Sequence, residues 1–143
     1  VDWHPDGSKF ATCGQGKQSG VIIIWKILDF LNIDCPSFKL ATNKYKIAEL
    51  DDHLGCVNCV KWSPDGKLLA SGGDDNVVML WKSAIIKTVY SDPTSKDSHQ
   101  ESWRCAFNLI GHTADVLDVR WSPTGEFLAS CSVDSNIIIW SRE

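Results

Sequence analysis

The sequence predicts an all-β fold made of about three four-stranded antiparallel blades. Three observations carry that expectation. Residues 60–82 read VKWSPDGKLLASGGDDNVVMLWK, which is strand, Pro-Asp-Gly turn, strand, Asp-bearing turn, and a strand ending in Trp81. The same phrase returns at 1–25 (VDWHPDGSKFATCGQGKQSGVIIIW) and at 119–140 (VRWSPTGEFLASCSVDSNIIIW). The opening tryptophans Trp3, Trp62 and Trp121 stand at equal intervals of 59 residues. Repeats of this kind mark units that bury their faces only by stacking on one another.

Each element follows from local residue chemistry. Residues 1–3 end a strand, and His4-Pro5-Asp6-Gly7 is a turn, with Pro presetting φ and Gly taking the last place. Residues 9–13 and 21–25 are strands, the second apolar enough for burial on both faces. The loop 15–20 between them is three residues longer than its counterparts. Residues 27–45 form an insertion with an apolar knot of Ile27, Leu28, Phe30, Leu31 and Ile33. The second unit, 46–82, supplies strands at 46–50, 56–62, 67–72 and 77–81, with His53 in the loop 51–55. A second insertion, 83–102, has a Ser/Asp/Lys/Gln-rich core at 91–102 that reads as a mobile surface loop. The third unit, 103–143, gives strands at 104–110, 116–121, 127–131 and 136–140, with His112 in the loop 111–115. Three strands and a fourth reached by a longer loop make one blade, and blades set around an axis keep their edges short. Three blades do not close a ring. The 143-residue chain therefore reads as a piece of a longer propeller, and alone it is expected to expose strand edges.

Composition narrows the function classes. The net charge of −4 gives no basic footprint for nucleic acid. The longest apolar run is five residues, far short of a bilayer span. Of six cysteines, most sit at apolar strand positions, where free Cys acts as a small hydrophobe, so reduced thiols are expected. Cys56-Val57-Asn58-Cys59 has the spacing of a metal half-site, but it lies on a strand, where residues three apart face opposite ways, and no second pair follows. His4 and His99 read as solvated residues of a turn and a polar loop. No metal, cofactor, membrane or small-molecule site is expected.

One constellation recurs. His53, Ser71, Asp75 and Trp81 return as His112, Ser130, Asp134 and Trp140, with steps of 18, 4 and 6 residues in both units. An indole N–H only donates, a hydroxyl gives and accepts, and an imidazole joins hydroxyl to carboxylate, so the four can form a hydrogen-bonded chain. Ser, His and Asp are also the alphabet of a hydrolase triad. An active site is made once, whereas this set appears twice, so it reads as architecture and not as an enzyme.

This pattern resembles the WD40 repeat, and the resemblance implies the His–Ser/Thr–Asp–Trp network and a seven-bladed propeller. Departures exist. Trp25 and Trp81 are followed by Lys and Trp140 by Ser, Asp52-His53 replaces Gly-His, and the first unit has Thr12 and Trp25 but Ser19 at the place of the turn Asp. Finer wording, including the long loop 15–20 and the CVNC strand, is similar to the N-terminal repeats of the HIRA/Hir histone-chaperone family. That resemblance implies a nuclear scaffold for replication-independent nucleosome assembly and transcriptional repression. Its propeller would dock an ubinuclein/Hpc-type subunit and other histone-chaperone subunits, with histones reached indirectly. The middle subunit of chromatin assembly factor 1 shares the SPTGE and SGGDD wording and is the nearest alternative. A generic WD40 adaptor, such as a ubiquitin-ligase substrate receptor, would need only the fold.

Overall fold

The units turn at matching places because matching residues demand it. Gly7, Gly66 and Gly125 hold φ of 72°, 68° and 75°, a left-handed conformation that costs glycine little. The second turn passes through Asn76 (φ 66°) and Ser135 (φ 68°). Each follows an aspartate whose Oδ1 accepts the N–H two residues on, Val77 at 3.3 Å from Asp75 and Asn136 at 2.8 Å from Asp134. A short carboxylate closing on its own backbone is what makes aspartate a turn residue.

The computed structural model describes residues 1–27, 45–87 and 99–141. Most of the first insertion, with Leu28, Phe30, Leu31 and Ile33 of its apolar knot and with Cys35, lies outside the described residues, as do residues 88–98 and 142–143. The strands are β1 (Asp2–Trp3), β2 (Lys9–Gln15), β3 (Gly20–Lys26), β4 (Lys46–Leu50), β5 (Val57–Trp62), β6 (Leu68–Gly73), β7 (Val77–Lys87), β8 (His99–Ile110), β9 (Val116–Trp121), β10 (Phe127–Ser132) and β11 (Ile137–Ser141). They form three antiparallel sheets, ordered β1-β2-β3-β4, β5-β6-β7-β8 and β11-β10-β9. No α-helix occurs among the described residues. The molecule is all-β, a fragment of a propeller.

The first blade is completed from the next stretch of repeat. β4 pairs with β3 through Ile22↔Leu50 and Ile24↔Ala48. The ladders β3–β4 and β7–β8 both shift register at the closing tryptophan, at Ile24/Trp25 and Leu80/Trp81. Such a bulge bends the strand and raises its twist.

Two features differ from expectation. The stretch 83–102 is not a loop throughout. β7 and β8 run into it from both ends, paired from Ser83↔Trp103 to Lys87↔His99, so His99 lies on a strand. Ile85 and Ile86 are β-branched and prolong the strand, whereas composition drew attention to the polar core. β3 also buries one face rather than two: Gly20, Ile22 and Ile24 are buried, while Val21, Ile23 and Trp25 are half-buried.

The core lies between sheets. Ala11, Ile22, Ile24 and Leu50 of the first blade meet Val60, Trp62, Leu69 and Trp81 of the second. Ala70, Val78 and Leu80 on the far face of the second blade meet Val116, Val119 and Leu128 of the third. Blade two is therefore a slab with apolar cover on both faces.

Gly20 sits where blades one and two join. A Cβ there would run into the carbonyl oxygen of Gly55 and come within 2.8 Å of Val57 Cγ2. Gly20→Ala is expected to cost about 1–3 kcal/mol by overpacking. Thermal melts followed by circular dichroism should show a fall of at least about 3 °C; an unmoved midpoint would mean the joint gives way without strain.

Candidate functional site

The residues singled out by repetition are brought together. His53 follows β4, in the loop leading to β5, and is 1% exposed. Its Nε2 lies 2.7 Å from Ser71 Oγ on β6, and its Nδ1 lies 2.8 Å from Asp75 Oδ2 in the β6–β7 turn. Trp81 Nε1 on β7 donates to Ser71 Oγ at 2.8 Å, and the N–H of Leu54 donates to Asp75 Oδ2 at 2.9 Å. The third blade holds the same geometry. His112 Nε2 is 2.8 Å from Ser130 Oγ and Nδ1 is 2.9 Å from Asp134 Oδ2. Trp140 Nε1 donates to Ser130 Oγ at 2.9 Å, and the Thr113 N–H donates to Asp134 Oδ2 at 3.0 Å.

Donor arithmetic sets the direction of the chain. The serine oxygen accepts from indole, and with the imidazole proton on Nδ1 facing the carboxylate the serine's own proton can go to Nε2. A neutral ring with its proton on Nδ1 uses every donor once. The carboxylate then has two jobs, one oxygen holding histidine and loop N–H, the other its own turn. The N–H groups of Thr113 and Asn136, helped by His112, hold the Asp134 carboxyl at about 2 against a smaller opposing pull from desolvation.

The same atoms in a hydrolase would leave the hydroxyl facing a substrate. Here Ser71 is 0% and Ser130 2% exposed, with the indole on one side and the imidazole on the other. No acyl carbon can reach the oxygen in this arrangement.

The first blade keeps only one link of the chain. Trp25 Nε1 donates to Thr12 Oγ1 at 3.0 Å. Ser19, at the place of the turn aspartate, sends its hydroxyl to the Asp51 carbonyl at 3.3 Å, and the longer loop closes on itself through Gly16 N–H to Ser19 O at 2.7 Å.

Several polar contacts between blades carry no repeat signal. Asp2 accepts from the Trp62 N–H at 2.8 Å and pairs with Lys61 at 3.2 Å. Trp121 Nε1 donates to the Lys61 carbonyl at 3.0 Å, one blade back. Asn58 spans Asp74 Oδ1 (2.8 Å) and the Val116 carbonyl (3.0 Å), tying blade two to blade three. Lys9 Nζ grips both oxygens of Glu101 at 2.7 and 3.0 Å, and Glu101 Oε2 also accepts from Trp103 Nε1 at 3.1 Å.

His4 is not the solvated turn residue expected. Its ring stands edge-on to Trp62 at 4.7 Å, with Nε2 at 3.1 Å from the Gly66 carbonyl and Nδ1 at 2.6 Å from Asp6. The turn of blade one lays it against blade two. Trp103 packs on Trp62 as well, at 5.4 Å, and the Trp62 indole N–H is left buried without an acceptor among the described residues.

The two cysteines of the Cys-x2-Cys pair differ in burial, Cys56 half-buried and Cys59 buried. Cys56 precedes β5 and Cys59 is buried on it, where desolvation, with Asp118 nearby, pushes the thiol up to about 12. No group of three or more metal-ligating side chains occurs among the described residues. The described cysteines are free thiols.

Two predictions follow from the chain of bonds. Trp81→Ala removes a fully buried indole and orphans Ser71, which should cost about 3–5 kcal/mol. Trp81→Phe keeps most of the volume and should lose less, about 1–3 kcal/mol, the cost of an unmade buried bond. Denaturant titrations rank the three proteins, and equal losses for Phe and Ala would mean that the N–H matters more than the volume. The second concerns acid. A carboxyl whose folded value lies below its ordinary 3.8 contributes stability above 3.8 and loses it as pH falls from there towards about 2. Asp134→Asn should therefore be less stable than the parent at pH 7, with the gap closing between pH 4 and 2 in melts at stepped pH.

A family profile described as the CAF1B/HIR1 beta-propeller domain matches residues 1–143. Among relatives, the chain is 48% identical to Protein HIRA of Takifugu rubripes and 46% identical to Protein HIRA of Homo sapiens, each over 99% of the chain. It is 36% identical to Protein HIRA of Dictyostelium discoideum over 98% of the chain. The alignments span 14%, 14% and 12% of those relatives' own lengths. The chain belongs to the CAF1B/HIR1 β-propeller domain family.

Proposed function

We propose that this chain is part of the propeller of a HIRA-like histone-chaperone subunit, acting in the nucleus in replication-independent nucleosome assembly and transcriptional repression. The observation that carries the reading is the family match over 1–143 together with 46–48% identity to animal HIRA proteins. The Ser–His–Asp sets are struts that hold loops to blades, and the work is protein docking on the exterior rather than catalysis. An ubinuclein/Hpc-type subunit is the proposed partner, with histones reached through the assembled complex and without direct reading of nucleic acid. The burial of Ser71 and Ser130 supports a non-enzymatic role, since the only nucleophile–base pairs singled out by the sequence are shut off from solvent.

A second reading has its own support. The family description covers the chromatin assembly factor 1 branch as well, which would make assembly replication-coupled. Affinity capture of the intact protein from nuclear extract, read by quantitative mass spectrometry, separates the two. Ubinuclein-type protein and histones, recovered equally from arrested and DNA-synthesising cells, are expected. Recovery of the other chromatin assembly factor 1 subunits, confined to cells synthesising DNA, would move the protein to that branch, and recovery of cullin components would replace both readings.

A further inference from the structure

Blade two carries more strand than a blade needs. β7 and β8 are 11 and 12 residues long, against 7 and 5 for the matching strands β3 and β4 of blade one. β6 pairs with β7 only as far as Leu68↔Lys82. From Ser83↔Trp103 to Lys87↔His99 the ladder runs on as two strands alone, about 15 Å of extra length. Among the described residues no third strand pairs with that ribbon. Two strands by themselves are marginal in water, so the ribbon's order comes from what it leans on.

It leans on blade one through a small set of side chains. Lys9 Nζ, at the start of β2, donates to both oxygens of Glu101 on β8, at 2.7 and 3.0 Å. Glu101 Oε2 also accepts from Trp103 Nε1 at 3.1 Å, and the Lys9 ammonium stands 5.8 Å from the Trp103 ring centroid. Trp103 meets Trp62 edge-on at 5.4 Å, where it packs on the cluster between blades one and two. Blade two closes without any of these groups. Its polar chain runs through His53, Ser71, Asp75 and Trp81, and its β7–β8 ladder shifts register at Leu80/Trp81, just before the ribbon begins. The contact is also balanced. Lys9 and Glu101 are half-buried and bonded with charge assistance. Beneath them the Trp62 indole N–H has no acceptor among the described residues, a donor that water would satisfy once the contact opened.

We propose that this ribbon is a strap. Residues 83–87 and 99–103 close onto blade one through Lys9–Glu101 and Trp103–Trp62, and they open as a unit while both blades stay folded. Opening uncovers the Trp62–Trp103 pair. The rim of the contact is ionic, so ionic strength shifts the balance between the two positions. The inference is independent of the chaperone reading.

Hydrogen exchange of the intact protein, followed by mass spectrometry, tests it, with β5 and β6 as the internal reference. Lys9→Met and Glu101→Gln each remove the charge pair and keep the length of the side chain. In both, the amides of 83–87 and 99–103 are expected to exchange about tenfold faster than in the parent, with those of 57–62 and 68–73 unchanged. Salt at about 1 M, where charges are screened within ~3 Å, should speed exchange in the parent's ribbon and leave the variants as they are. Ribbon amides that ignore both substitution and salt would overturn the proposal. So would acceleration of β5 and β6 in step with the ribbon, since the contact would then belong to the folding of blade two. Should Lys9→Met fail to fold, Glu101→Gln and the salt series on the parent decide the question.

Discussion

A serine hydroxyl with one proton and two neighbours is the constraint on which each complete blade depends. Ser71 and Ser130 are sealed between sheets, where an unpaired polar atom costs far more than a bond returns. The oxygen is satisfied by an indole that donates from one side and an imidazole nitrogen on the other. That demand places the closing tryptophan, which then fixes the register of the third strand. It also places the histidine, which draws the preceding loop inward, and the aspartate, which shapes the next turn. Four residues from two strands, a turn and a loop are set by one atom.

The fold class was legible in the sequence because turn chemistry and strand patterning repeat, and repetition turns weak local signals into a strong one. The members of the polar chain were legible for the same reason: identical steps in two units pick them out of a background of ordinary Ser, His and Asp. What stayed hidden is what occurs once. His4 against Trp62, Lys9 on Glu101 and Trp103, and Asn58 across to Val116 depend on how neighbouring blades abut, and no spacing within one unit encodes that. The extension of β7 and β8 was hidden for another reason. A polar core at 91–102 outweighed the strand-forming Ile85 and Ile86 at its margin. Half-burial of β3 was missed because a run of isoleucines reads as two buried faces whether or not a neighbour stands on each.

Interior and exterior divide the labour of this fold. The polar chains face inward and leave no group free for chemistry, while the hydrophobic slabs are spent on joining blades. The joints are not purely apolar, however. Asp2 on Lys61 and Trp62, and Lys9 on Glu101, stand at the margins of the first slab and give it a defined angle that greasy contact alone would leave loose.

The strand that completes blade one is followed by a loop whose histidine is bonded into blade two, while that histidine's carbonyl accepts the N–H of Gly20 at 3.2 Å in blade one. The connection is thus riveted at both ends. Tension that pried the two sheets apart would be borne by this short crossing and passed to the tryptophan behind it. Tilting between neighbouring blades and reshaping of the crossing are for that reason a single mechanical event, and the region transmits force as a plate would, with no pivot of its own.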